Sequence, residues 1–198
     1  MSQPFDCDGA LLLRIRAGDR AAFGTLVTRY WPLLLHHAIR LGAAADDADD
    51  AVQSVLIRIW EKREGWETTG SVRALLYRMT RDATLDQSKA QVRRLRRQET
   101  HAGGSPPVPT PSEELDRSDL EAALASAVAD LSERRRAVYE LTRVDGLSYR
   151  EAAEVLGISP QTAANHLSAA LRQIHDSVRA HLDPAIEPSS ADRRQSRG

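Results

Sequence analysis

The chain has 198 residues, 41% of them hydrophobic and 28% charged, with 27 basic against 28 acidic side chains and a formal net charge of −1. That length holds one large or two small cores, and a near-zero total leaves DNA binding open because charge can be segregated along a chain. The single cysteine, Cys7, excludes an internal disulfide framework and a cysteine zinc site, no apolar run is long enough for a bilayer, and MSQPFDCDG has no signal-peptide architecture, so a cytoplasmic protein is expected.

Every patterned stretch predicts helix. Asp19 caps a helix with apolar positions Phe23, Leu26, Val27, Tyr30, Leu34, Ala38 and Leu41, ending at Gly42. Pro32 falls inside it, where a kink or a lost hydrogen bond is expected. DDADDAVQSVLIRIWEKR starts a second helix at Asp46 or Asp47, acids in its first turn and Lys62 and Arg63 at its end, as the helix dipole favours. Ala48, Val52, Val55 and Ile59 form its inner face. A third helix begins near Ser71, with Val72, Leu75, Leu76, Met79, Ala83 and Ala90 inward, and runs into KAQVRRLRRQ. The stretch ETHAGGSPPVPTPSEEL is rich in Pro, Gly and Ser and reads as a linker, placed at 99–114. Helical pattern returns over 115–182, and the polar tail 183–198 is expected to be disordered. The fold class expected is all-α, with one helical domain over 8–98 and a second over 115–182 on a tether.

Within the second domain, GLSYREAAEVLGISPQTAANHLSAAL carries the marks of a helix-turn-helix. Ser148 and Glu151 form a capping box, and Gly157 suits the left-handed residue that ends the first helix. Ser159 caps the second helix with Pro160 in its first turn, and Ala153 is small enough for a close crossing. Ala163, Leu167, Ala170, Ile174 and Val178 supply a buried face. Such a unit lays its second helix in the DNA major groove. Gln161, Thr162, Asn165 and His166 would project from that helix, and Gln and Asn pair bidentately with adenine. Arg150 and Arg172 are backbone-contact candidates.

The third helix is basic on one side. Arg73, Arg78, Arg81, Lys89, Arg93, Arg94, Arg96 and Arg97 are opposed only by Asp82 and Asp86, a one-signed run of the kind that binds phosphate. Tyr77 adds a stacking surface as in single-strand binders, and Asp82 should face a base or an arginine. On periodicity alone, Asp49, Asp50, Gln53, Leu56 and Trp60 read as a dipole-satisfied helix start with core aromatics. His36 and His37 point in different directions and read as a surface and a core histidine, with no metal expected. No nucleophile–base set and no phosphate-cradling glycine loop is visible, so no catalysis and no cofactor is expected.

In this order the two halves resemble the sigma-70 family. DDADDAVQSVLIRIWEKR resembles its polymerase-binding helix, GSVRALLYRMTRDATLDQSKAQVRRLRRQ its promoter-melting helix, and LSERRRAVYELTRVDGLSYREAAEVLGIS with the following helix its C-terminal domain. Nothing intervenes between the halves, which matches the short extracytoplasmic-function (ECF) branch. The resemblance implies that Asp49, Asp50, Gln53, Leu56 and Trp60 dock on the clamp helices of core RNA polymerase, the flap being a further contact. It implies that Arg73, Tyr77, Arg78, Arg81, Asp82, Lys89, Arg93 and Arg94 hold the melted minus-ten strand. It implies that Ser148, Tyr149, Arg150, Ser159, Gln161, Thr162, Asn165, His166 and Arg172 read the minus-thirty-five duplex. An anti-sigma partner, no membrane insertion and a monomeric free state are also expected.

Several positions depart from the family pattern: Ser54 stands for a common glutamate, Leu75 for tryptophan and Asp82 for asparagine. The recognition helix lacks the usual basic residues at Ala164, His166 and Ala169, so the promoter code does not carry over. A stand-alone operator-binding regulator is the alternative, but no heptad seam for a dimer is visible. One helix making two or three base contacts, each about 1–3 kcal/mol, cannot single out a genomic site, whereas two tethered weak modules multiply their affinities.

Overall fold

The structure, a computed structural model, describes residues 7–65, 70–98 and 119–182. The linker at 99–114, residues 115–118 and the tail 183–198 lie outside the described residues, as do the side chains of Arg94, Arg96 and Arg97. Among the described residues every regular element is helical.

Helix α1 (Cys7–Arg16) was not expected from the pattern. It is held by Asp8, which is buried and accepts hydrogen bonds from Arg29 Nη1 and the Tyr30 hydroxyl of the next helix. Leu11, Leu12 and Ile15 enter the core from it. Helix α2 (Arg20–Arg40) starts as predicted, Asp19 Oδ1 accepting from the N–H groups of Ala21 and Ala22 at 2.9 and 3.0 Å. It runs unbroken through Pro32, which lies on the exposed side of the helix, where losing one backbone hydrogen bond costs least. Helix α3 (Ala45–Glu61) begins a residue earlier than the acids suggested, from Ala44, which offers no capping side chain; Asp46 and Asp47 in the first turn favour the dipole instead. A 3₁₀ turn, Arg63–Gly65, closes it, with Arg63 over the Trp60 ring at 4.8 Å.

Helix α4 (Val72–Gln98) is the longest described element. It packs against α2 and α3, and Ala90, expected inward, is exposed among the described residues.

The second half of the chain comprises α5 (Asp119–Ala129), α6 (Glu133–Tyr139), α7 (Tyr149–Leu156) and α8 (Pro160–Leu182). Between α6 and α7 lies a π-helical turn, Glu140–Val144, which the sequence pattern did not show. The capping box of α7 is formed as expected, Glu151 Oε2 accepting from the Ser148 N–H at 2.8 Å and Ser148 Oγ from the Glu151 N–H at 3.2 Å. Gly157 ends α7 at φ 65°. Ala153, Ala163 and Val138 are buried together where α6, α7 and α8 cross, so a larger residue at position 153 would force the helices apart.

The two halves, expected as separate bodies on a tether, are packed against one another. One hydrophobic cluster joins Leu26, Tyr30, Leu34, Val52, Ile59, Leu76 and Tyr77 to Leu141, Leu147, Ala152 and Val155. Helix α7 lies along α4, and the contact is completed by hydrogen bonds between residues 72 to 105 positions apart.

Candidate nucleic-acid and polymerase interfaces

Helix α3 presents two faces. Ala48, Ala51, Val52, Val55, Leu56 and Ile59 are buried against α2 and α4. Leu56, expected at a partner surface, is only 4% exposed and is core. Trp60 is half-buried, its ring 5.1 Å from Phe23, so it packs inward more than it projects. Asp49, Asp50 and Gln53 stand free on the outer face. The apolar side chain among them is Ile57, 50% exposed, which the pattern reading overlooked. The signal was present in the spacing: Asp50, Gln53, Ser54 and Ile57 follow the i, i+3, i+4, i+7 rule for one helix face.

Helix α4 divides likewise. Arg78, Asp82, Lys89 and Arg93 are exposed and Arg81 is half-buried. Arg81 Nη1 donates to Asp82 Oδ1 at 3.3 Å, so the aspartate faces an arginine as expected; Lys89 lies 3.5 Å from Asp86. Pairs this exposed are worth about 1 kcal/mol or less, so the side chains can exchange them for phosphates at little cost.

Arg73 and Tyr77 are placed differently from the expectation. Arg73 is 6% exposed and donates Nη1 to Gly146 O at 2.9 Å and Nη2 to Asp145 O. Tyr77 is fully buried, with its ring 4.9 Å from His37. Burial pushes its hydroxyl up to about 12, and the negative charge of Asp145 adds to the effect. Neither residue can reach a nucleic acid in this arrangement, because Arg73 is held by the turn before α7 and Tyr77 lies in the hydrophobic core beside His37. His37 is a core histidine and His36 an exposed one, as read from the sequence.

On the helix-turn-helix, Ser159 Oγ accepts from the Thr162 N–H at 3.0 Å and lies 2.8 Å from Thr162 Oγ1, tying both residues to the cap. Gln161 Nε2 donates to Asn165 Oδ1 at 3.0 Å, so two exposed amides on successive turns are held in one orientation. Tyr149, Arg150 and Arg172 are exposed, with Arg150 5.9 Å from the Tyr149 ring. His166 lies apart from Gln161 and Asn165: it lines a cleft of about 700 Å³ between the halves, with Arg40, Arg81, Arg134 and Arg136.

This pairing of an acid-fringed helix and an arginine-rich helix with a capped helix-turn-helix has close parallels. Residues 26–98 match the family described as Sigma-70 region 2, and residues 121–174 match Sigma-70, region 4. The chain is 31% identical over 162 residues to the ECF RNA polymerase sigma factor SigL of Mycobacterium tuberculosis, covering 80% of this chain and 89% of that one. The chain belongs to the ECF branch of the sigma-70 family. A further relative of this sigma factor is the RNA polymerase sigma factor CnrH of Cupriavidus metallidurans, 28% identical over 177 residues, with 84% of this chain and 92% of CnrH covered. Its fold is shared with the structure of CnrH in complex with the cytosolic domain of CnrY, at a TM-score of 0.60 and 23% identity over 88% of this chain and 98% of that one. The sigma factor RpoE of Bartonella quintana, solved with the anti-sigma factor NepR, matches at a TM-score of 0.55 and 25% identity, covering 79% of this chain and 96% of that one.

Proposed function

We propose that this sigma factor divides its work among three surfaces, while the polymerase performs the chemistry. The exposed face of α3, with Asp49, Asp50 and Gln53 around Ile57, docks on the clamp helices of core RNA polymerase. The basic side of α4, with Arg78, Arg81, Lys89 and Arg93, captures the opened minus-ten strand, whereas the buried Arg73 and Tyr77 serve the packing of the two halves. Gln161 and Asn165 at the start of α8 read the upstream duplex, with Arg150 and Arg172 on its phosphates. The domains doing this are residues 8–98 and 115–182, and the linker between them spans the two promoter elements. The observation that carries the reading is the pair of matched regions in family order, the first with a one-signed arginine helix and the second with a capped recognition helix. The family favours this over a stand-alone operator-binding regulator.

Sigma relatives were solved with CnrY and with the anti-sigma factor NepR, which supports an anti-sigma partner here too. No helix among the described residues is long and apolar enough to cross a membrane, and we place the factor in the cytoplasm with its polymerase.

A near-uncharged recognition helix neutralises few phosphates, so the factor alone binds duplex weakly and with a shallow salt dependence. Docking on core polymerase fixes both halves at the required separation and converts weak contacts into tight ones. The test is run-off transcription on genomic fragments followed by footprinting of a mapped promoter with and without core enzyme. Specific protection is expected only with core. Nanomolar, sequence-specific protection by the factor alone, as a dimer, would overturn the proposal.

A further inference from the structure

The outer edge of α8 is a single polar stripe. Gln161, Asn165, Ser168 and Arg172 recur at i, i+4, i+7 and i+11 and are all exposed, whereas His166 stands on another side of the helix and lines the cleft between the halves. Eleven residues of helix span about 16 Å, which exceeds the major-groove width of roughly 12 Å. With Gln161 at the floor of the groove, Arg172 is therefore carried to its wall, where the phosphates are. The first turn of such a helix meets the base edges, and here the cap decides which side chain is offered. Thr162 is taken up by it: the Thr162 N–H donates to Ser159 Oγ at 3.0 Å, and the Thr162 hydroxyl lies 2.8 Å from the same oxygen. Gln161 is left as the leading side chain of the stripe. It is held by Asn165, one turn along, whose Oδ1 accepts from Gln161 Nε2 at 3.0 Å.

We propose that Gln161 reads one adenine of the upstream duplex, and that Asn165 is the positioning residue that makes it refuse guanine at that base pair. The inference rests on the upstream-duplex role given to α8. One of the two Gln161 amide hydrogens is engaged by Asn165; the other remains, together with Oε1. That donor and acceptor are what adenine requires, Nε2–H to N7 and the base N6–H to Oε1. Guanine keeps N7 but presents the O6 acceptor where adenine presents its amine. A glutamine able to turn its amide over could meet guanine as well, by offering N–H to O6. Asn165 opposes that turn, because a flipped amide would set Oε1 against Oδ1, acceptor against acceptor. Guanine is then met by an oxygen facing an oxygen, a repulsive element of the kind on which specificity depends. The amide is oriented before DNA arrives, which lowers the ordering cost of binding, and its bond to Asn165 strengthens once water leaves the groove.

The experiment uses holoenzyme assembled from the full chain and core polymerase, on a library of a mapped promoter whose upstream element is randomised. Transcripts are counted by sequencing a barcode, and circular dichroism checks the helical content of each variant. With the wild-type chain, one base pair is expected to favour adenine over guanine about tenfold. Gln161→Ala should flatten the preference at that pair alone. Asn165→Ala should keep adenine there but admit guanine, the ratio falling about fivefold. Asn165→Asp keeps the Oδ1 acceptor, so it should restore the ratio while lowering total transcription through its charge near the phosphates. If Asn165→Ala instead changes the preference at a different base pair, or Asn165→Asp does not restore the ratio, Asn165 is not a brace and the proposal is overturned. Promoter-specific transcription with no adenine preference that depends on Gln161 overturns the base assignment and leaves the duplex role of α8 standing. Absence of promoter-specific transcription by the wild-type holoenzyme overturns that role, and this inference with it.

Discussion

Two adjacent residues of α3 should behave oppositely when shortened to alanine. Leu56 is 4% exposed in the core and Ile57 is 50% exposed on the proposed polymerase face. Leu56→Ala removes buried methyl groups and leaves a cavity, which costs about 2–5 kcal/mol, or about 5–15 °C of melting temperature at this chain length. Ile57→Ala removes a side chain already half in water, and its effect on folding should stay within about 0.5 kcal/mol. On the polymerase the remaining half would be buried. A fully buried isoleucine contributes about 1.5–3 kcal/mol, so the loss in docking is about 1 kcal/mol, or a three- to tenfold weaker complex. Asp50→Arg combined with Gln53→Ala should abolish docking while leaving the melting temperature nearly unchanged. The assay is competition against a labelled wild-type factor for core polymerase, with thermal melts in parallel. The reasoning fails if Ile57→Ala melts as early as Leu56→Ala, or if it competes as well as wild type.

Asp8→Ala should destabilise the fold by about 2–4 kcal/mol in denaturant titrations, because it strands the buried Tyr30 hydroxyl; adding Tyr30→Phe should recover part of the loss. Arg78→Ala or Arg81→Ala should reduce permanganate reactivity of the opened promoter more than initial binding, whereas Gln161→Ala or Asn165→Ala should change which upstream sequence is preferred; equal effects on duplex binding would contradict the division of labour. Burial pushes the Glu151 carboxyl up, but hydrogen bonds from Ser71 and Ser148 more than offset it and hold it below its ordinary value of 4.5. A depressed carboxylate contributes stability that is present above the ordinary value and lost as pH falls through the folded one, so Glu151→Gln should flatten the acid side of a melting-temperature profile below about pH 5.

Local chemistry explains why much of this protein is legible in its sequence. A capping aspartate at Asp19, the Ser148–Glu151 box, Gly157 and the Ser159–Pro160 start each involve residues within a few positions of one another, and each appears in the structure where the pattern put it. The arginine run of α4 and the acids of α3 are equally local, which is why the candidate surfaces could be named. Helix α1 escaped because its run Leu11–Leu13 has too short a period to call, and its anchor, Asp8, is explained only by Arg29 and Tyr30 more than twenty residues away. Which of Leu56 and Ile57 faces outward depends on how α3 is rotated against α2 and α4, a choice made by packing. The docking of the second half on Arg73 lay beyond any pattern. Arg73 meets backbone carbonyls, which every residue carries, and Asp145 meets Arg40 at a separation of 105 residues. Propensity and capping act within a turn or two of chain, so they determine the helices and the turn between α7 and α8. Only tertiary structure decides which arginines of α4 are free for DNA and which are held by the protein itself.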